Sequence, residues 1–155
     1  MNQPDGDGPA ALAARAAGLD VTVTRHGPVN SLAEAAAARG VQPRDIVKTM
    51  VVRRANDDYL FVLVPGDAEI AWPKLRALLG VSRLSMPDAA TARKVTGYER
   101  GTITPFGASR AWPVIADASV TGRQVSIGGG AHGVAIAVDA DAMLAALDAT
   151  VADIT

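Results

Sequence analysis

The chain has 155 residues, 49% of them hydrophobic and 20% charged, with a net charge of −1 and no cysteine. A chain of that length suits one domain that buries roughly 70% of its unfolded surface, and the composition excludes a disordered protein, a disulfide framework, a thiolate metal site and a cysteine nucleophile. No apolar run approaches the ~18 residues of a membrane span, and the overall charge argues against general affinity for nucleic acid.

"MNQPDGDGPA" is acidic and rich in Gly and Pro, without a basic flank or an apolar stretch. Residues 1–9 therefore read as a flexible tail rather than a secretion signal, and the lack of cysteine makes a reducing cytoplasm the expected compartment. One domain is expected over residues 10–155. "PAALAARAAGL" has a helical pattern and "DVTVTRH" alternates like a strand. In "SLAEAAAARG", Ser31 and Glu34 stand in capping-box spacing and Gly40 marks the stop of a helix. "DIVKTMVVRR" and "DYLFVLVPG", joined by the turn-prone "ANDD", predict an antiparallel hairpin. "WPKLRALLG" predicts a helix with Pro73 in its first turn and Leu75, Leu78 and Leu79 on one face. "SMPDAATARKVTG" predicts another, with Ser85 and Asp88 in capping spacing and Gly97 at its end. A loop, a strand near "PVIAD", a second hairpin "RQVSIGGGAHGVAIAV" and a closing helix "DADAMLAALDA" complete the chain. Helices and hairpins mix without regular βαβ alternation, so the expected fold is α+β, around a mixed or barrel-like sheet.

The near-zero net charge conceals an uneven distribution. Between Trp72 and Arg100, the six basic residues Lys74, Arg76, Arg83, Arg93, Lys94 and Arg100 face only Asp88 and Glu99, a local charge of +4. The segment is either ordinary solvated helix surface or a patch that contacts phosphates.

Three features carry candidate chemistry. On a strand, Lys48 shares a face with Ile46, Met50 and Val52, so a lysine breaks an otherwise apolar row. It is either a rim lysine that snorkels to water or a cation lining a cleft, placed to bind an anion or to stabilise developing charge. "YERGTITPFG" gathers Gly101, Pro105 and Gly107 beside Phe106 and three hydroxyl-bearing residues, as a tight turn or a ligand-facing loop would. "GGGAHG" contains G-x-G-x-x-G but leads into the strand-like "VAIAV", whereas a dinucleotide fingerprint must open a helix. It reads instead as a glycine-rich hairpin loop, with His132 as a turn residue or a ligand-facing donor. No nucleophile elbow or phosphate-binding P-loop is present, and the two histidines, His26 and His132, have no metal-binding partner at helical spacing.

In order along the chain, "RHGPVNSLAEAAAARG", "DIVKTMVV", "LSMPDAATARKVTGYERGTITPFG", "PVIAD", "SIGGGAHGVAIAV" and "LDATVADIT" resemble the YbaK-like aminoacyl-tRNA deacylases, relatives of the editing domain inserted in bacterial prolyl-tRNA synthetases. The resemblance implies a mixed α/β domain with a curved, barrel-like sheet packed by helices. It implies that hydrolysis depends chiefly on Lys48, and that the G-x-x-x-P loop opening at Gly101 lies against the ester-bearing terminal ribose. Thr102, Ile103, Thr104, Pro105 and Phe106 of that loop become expected substrate contacts, joined by His26 and Thr49, and by Gly129, Gly130 and His132 of the glycine-rich loop. Arg93 and Lys94 become expected tRNA contacts. The implied activity is a free-standing deacylase acting on mischarged tRNA, most plausibly tRNA for proline carrying cysteine or alanine. It would need no metal or organic cofactor, would meet neither DNA nor a membrane, and would work with prolyl-tRNA synthetase as a potential partner. Competing readings are a non-catalytic module that binds tRNA ends or a synthetase, and a small-molecule-binding domain without an RNA partner. The sequence departs from the family pattern twice: Ala131 and His132 stand where cysteine-specific members tend to place basic residues, and Thr102 follows Gly101 where Gly-Gly is common.

Overall fold

In the computed structural model, which describes residues 7–155, Pro9 opens the first helix, so this element begins within the stretch expected to be a tail. Residues 1–6 of that expected tail lie outside the described residues. Helix α1 (Pro9–Ala16) buries Ala10, Ala11 and Ala14, and strand β1 (Thr22–Arg25) follows. Helix α2 (Leu32–Arg39) starts where Ser31 Oγ accepts from the Glu34 amide at 3.1 Å and ends where Gly40 turns left-handed at φ 71. The Glu34 carboxylate reaches back to the Asn30 amide rather than to that of Ser31.

After a 3-10 turn (Pro43–Asp45), β2 (Val47–Ala55) and β3 (Asp58–Pro65) form the expected hairpin, with Lys48 opposite Val64. Helix α3 (Trp72–Leu79) buries Leu75 and packs Leu79 beside it, but Leu78 is 42% exposed and lies off that face. Helix α4 (Ala89–Thr96) is capped by Asp88, which accepts from the Thr91 amide at 2.8 Å. Ser85 is not part of that cap. Its backbone exchanges hydrogen bonds with Arg53 instead. Strands β4 (Val114–Asp117), β5 (Gln124–Gly128) and β6 (Val134–Asp139) precede α5 (Ala140–Ala146), which ends before the expected limit of the closing helix, and a short strand β7 (Thr150–Ala152), for which the sequence offered no expectation, follows it.

The fold is α+β. One sheet is antiparallel in the order β1-β6-β5, and the other is mixed in the order β2-β3-β4-β7, with β3-β4 and β4-β7 parallel. The two meet at a bridge between Ile46 and Ser126 and do not close into a barrel. Strand β3 is central, and Leu60 to Val64 are buried on both its faces. Val51, Phe61 and Leu63 face the main core with Ile127, Ile136 and Met143, whereas Val52, Leu60, Val62 and Val64 meet Leu75 and Ile154 in a second core under α3. Among the described residues, no helix is long and apolar enough to cross a membrane.

Candidate active site

The site is built on the free edge of β2. Arg53 donates to Ser85 O at 2.7 Å and accepts from the Ser85 amide at 3.1 Å, so its backbone groups point away from β3. Alternation along a strand gives Val47, Thr49 and Val51 the same direction. Two observations agree with this: Val47 lies opposite Pro65, which has no N–H, and the Phe61 amide opposite Val51 donates to Pro113 O. Among the described residues, this edge has no strand partner between the bridges at Ile46 and Arg53.

Onto it opens a cavity of about 260 Å³, with Lys48, Thr49, Met50, Met86, Gly101 and Ile103 in its lining. Arg39, Arg100 and Gly128 line it as well. Its volume lies just below the usual range for ligand pockets, about 300–1,000 Å³. Lys48 stands on the row that faces α3, and its Nζ donates to Glu69 Oε1 at 3.3 Å. Glu69 is 88% exposed, and such a surface pair is worth about 0–1 kcal/mol, too little to hold the ammonium against an anion in the cavity. The Thr49 hydroxyl is buried and has no hydrogen-bond partner among the described residues, so it is available to a ligand.

The loop from Tyr98 to Gly107 forms the opposite wall. Tyr98 Oη donates to Phe106 O at 2.6 Å, and burial pushes the Tyr98 phenol pKa up. Thr102 donates from its amide and its hydroxyl to Glu99 O. Gly101 has φ +89, and a Cβ there would meet only His132 Cε1, at 4.0 Å, so this glycine borders open space. Gly107 serves packing: a Cβ would lie 2.7 Å from both Pro9 O and Tyr98 Oη. Thr102, Thr104 and Phe106 are buried in the body of the protein, whereas Ile103 lines the cavity and Pro105 is half-buried.

The glycine-rich loop joins β5 to β6 and packs against this first loop. The Gly129 amide donates to Val134 O, the Gly130 amide donates to Thr102 O at 3.1 Å, and a Cβ on Gly130 would lie 2.8 Å from the Tyr98 ring. These glycines let one loop approach another. His132 is exposed at the rim, 3.1 Å from Glu99 Oε2, and Arg93 approaches the same carboxylate at 3.7 Å. The His26 amide donates to Gly133 O, and its Nδ1 donates to Gly27 O at 2.8 Å, which leaves Nε2 buried without a partner. A second pocket, about 480 Å³, has His26, Pro28, Ala131 and His132 in its lining and shares Arg39 and Gly101 with the first.

The structure thus gathers Lys48, Thr49, Gly101 and Ile103 around one cavity and His26 and His132 around its neighbour. Arg93 and Lys94 are exposed near the end of α4 and line neither. The basic segment is divided: Lys74 binds Asp153 and Thr155 O, and Arg100 lines the first cavity.

A family model for the aminoacyl-tRNA editing domain matches residues 26–146. The chain belongs to that family. Proline–tRNA ligases of Bacillus licheniformis and Heliobacterium modesticaldum are 32% and 38% identical to this editing domain over 92 and 96 residues, 59% of its length in each case. The editing domain spans 16% of the length of either ligase. A solved structure described as a candidate trans-editing enzyme for prolyl tRNA synthetase is similar at TM-score 0.84 and 25% identity, covering 97% of this chain and 99% of that one.

Sequence reasoning missed Arg39, Met50 and Met86 in the cavity wall of the editing domain, and it named Arg100 only as part of the basic segment. A basic residue in the last turn of a helix is ordinary, because it complements the helix dipole, so Arg39 carries no local signal. Met50 could have been found, since it follows Lys48 on the same row of β2.

Proposed function

We propose that this editing domain is a free-standing hydrolase that removes a wrongly attached small amino acid from tRNA, with alanine or cysteine on tRNA for proline as the best-fitting substrates. The observation that carries the reading is one cavity in which a cationic Lys48, an unpartnered Thr49 hydroxyl and the open face of Gly101 meet along an unpaired strand edge. The family assignment supports an aminoacyl ester as what that cavity acts on. Met50, Met86 and Ile103 supply an apolar wall suited to a small side chain.

In this reading the ribose lies over Gly101, where only a residue without Cβ leaves the space open. The ester carbonyl points toward Lys48, which leaves its weak pair with Glu69 and stabilises the oxyanion that forms when water adds to the carbonyl carbon. The bond from that carbon to the ribose oxygen then breaks. The free amino acid departs, and the tRNA keeps its hydroxyl and takes up the proton. The protein acts in the cytoplasm beside prolyl-tRNA synthetase, which produces the misacylated tRNA.

The test incubates the purified protein with tRNA for proline carrying alanine, cysteine or serine. Wild type is expected to accelerate loss of alanine and cysteine, and Lys48→Ala to lose about 100-fold or more in rate while keeping its melting temperature, the usual loss for an oxyanion donor. A wild-type protein that leaves spontaneous deacylation unchanged or slows it is a binding module instead. Full activity in folded Lys48→Ala would remove the lysine from the chemistry.

A further inference from the structure

Arg39 is the last residue of α2, and its half-buried side chain reaches across to Ser126 on β5. One terminal nitrogen donates to Ser126 Oγ at 3.3 Å, and Nε is buried without a partner. Arg15, Arg54, Arg93 and Arg123 each lie within 4.0 Å of a carboxylate, but among the described residues none does so for Arg39. Burial lowers the pKa of its guanidinium, which still stays charged at neutral pH. A partly buried charge without a counter-charge is costly, so the position calls for an anion from outside the chain.

The location identifies the anion. Arg39 and Gly101 are the residues that line both the Lys48 cavity and the pocket beside His26 and His132. In an aminoacyl ester the amino acid's own carboxyl group is consumed, so the permanent negative charges of the substrate are its phosphates. The nearest of these to the ester is the phosphate on the 5′ side of the terminal ribose. Guanidinium binds phosphate through paired N–H donors and is less hydrated than ammonium, which suits a half-buried junction.

We propose that Arg39 anchors the substrate by binding this terminal phosphate at the junction of the two cavities, with the aminoacyl group on the Lys48 side and the terminal base on the His26 side. The assignment rests on the deacylase reading. It makes the site selective for a nucleotide ester over a nucleoside ester, a discrimination that Lys48 alone would not provide.

The experiment compares hydrolysis of two small substrates, the 3′-alanyl esters of adenosine and of adenosine 5′-monophosphate. Wild type is expected to favour the phosphate-bearing ester by about tenfold or more in kcat/KM, the value of a hydrogen bond to a charged group. Arg39→Gln and Arg39→Ala are expected to bring that ratio near one, and Arg39→Lys, which keeps a charge and a donor for Ser126, to retain part of it. An unchanged ratio in the folded variants, or no preference in wild type, overturns the assignment. If wild type hydrolyses neither small ester nor misacylated tRNA, the deacylase reading fails, and calorimetry with adenosine 5′-monophosphate and adenosine then decides on Arg39. A preference for the monophosphate that Arg39→Gln abolishes upholds the anchor, and equal binding of the two overturns it.

Discussion

Tyr98→Phe isolates one bond that shapes the loop from Tyr98 to Gly107 in the candidate site. The ring of Tyr98 is buried against Gly130, and its hydroxyl closes the loop on itself by donating to Phe106 O at 2.6 Å. Phenylalanine keeps the ring and its packing but leaves the Phe106 carbonyl buried without this donor. Such a loss costs about 1–3 kcal/mol, and in a protein of this size each kcal/mol lowers Tm by about 2–4 °C. The expected fall is therefore about 2–12 °C by calorimetry, with wild-type spectra below the transition. The alkaline limb adds a second readout. Burial raises the folded-state pKa of Tyr98 above its ordinary value of 10.0, so its contribution is complete below that pH and is lost as pH rises through the folded value. Tyr98→Phe should flatten the corresponding loss of stability in wild type. Deacylation of alanyl-tRNA should fall more than tRNA binding does, because the proposed mode of action sets this loop against the ester rather than the body of the tRNA. A variant that melts within about 1 °C of wild type would refute the reasoning, since the carbonyl would then have found another donor.

Gly101→Val should cost about 1–2 kcal/mol in backbone strain at φ +89 and a larger share of deacylation, because its methyl groups enter the open space; proportionate losses in Tm and rate would reduce Gly101 to a turn residue. Asp117 is buried, which raises its pKa, but hydrogen bonds from the Ser119 hydroxyl and the Ile154 and Ser119 amides prevail and hold it below the ordinary 3.8. Its contribution is thus present above that pH and lost as pH falls through the folded value. Asp117→Asn should be less stable by about 1–3 kcal/mol in urea at pH 7 and closer to wild type at pH 3, and a constant gap would contradict this. Arg93→Ala/Lys94→Ala should weaken tRNA binding and reduce the slope of log affinity against log salt by about 0.7–0.9 for each phosphate that the variant no longer neutralises, whereas an unchanged slope would take this end of α4 off the tRNA surface.

What could be read in advance was mostly what local chemistry decides. Ser31 and Gly40 bound α2 because cap and stop signals act within a few residues, and Lys48 stood out as a charge on an apolar row. Ser85 and Asp88 both fit a cap by type, and only the distant pairing of Ser85 with Arg53 separates them. Strand β7 has too few residues for a periodic signal and exists through its parallel pairing with β4. In the loop, hydroxyl-bearing residues read as substrate-facing, but Thr102 and Thr104 are buried, and Thr102 is tied to the glycine-rich loop through the Gly130 amide, a contact between segments far apart in the chain. Arg39 was hidden because what distinguishes it is a missing counter-charge, and that is a property of the assembled fold.

The span over which the family pattern is recognisable, residues 26–146, is narrower than the span that folds. A fragment cut at those limits would lose β1 and so turn β6 into a bare strand edge, an invitation to pair with other chains. It would also lose the alanine face of α1, uncover the main core, and remove the backbone oxygen of Pro9 against which Gly107 sets the loop. At the other end it would strip β7 from β4 and take away the Ile154 amide that Asp117 holds at 2.9 Å, along with the Ile154 carbonyl that receives the amide of Ala71 at the head of α3. For anyone grafting this activity into another protein, the transferable unit includes both flanks, because the segments that look dispensable by family pattern hold the Tyr98–Gly107 loop and the central sheet in place.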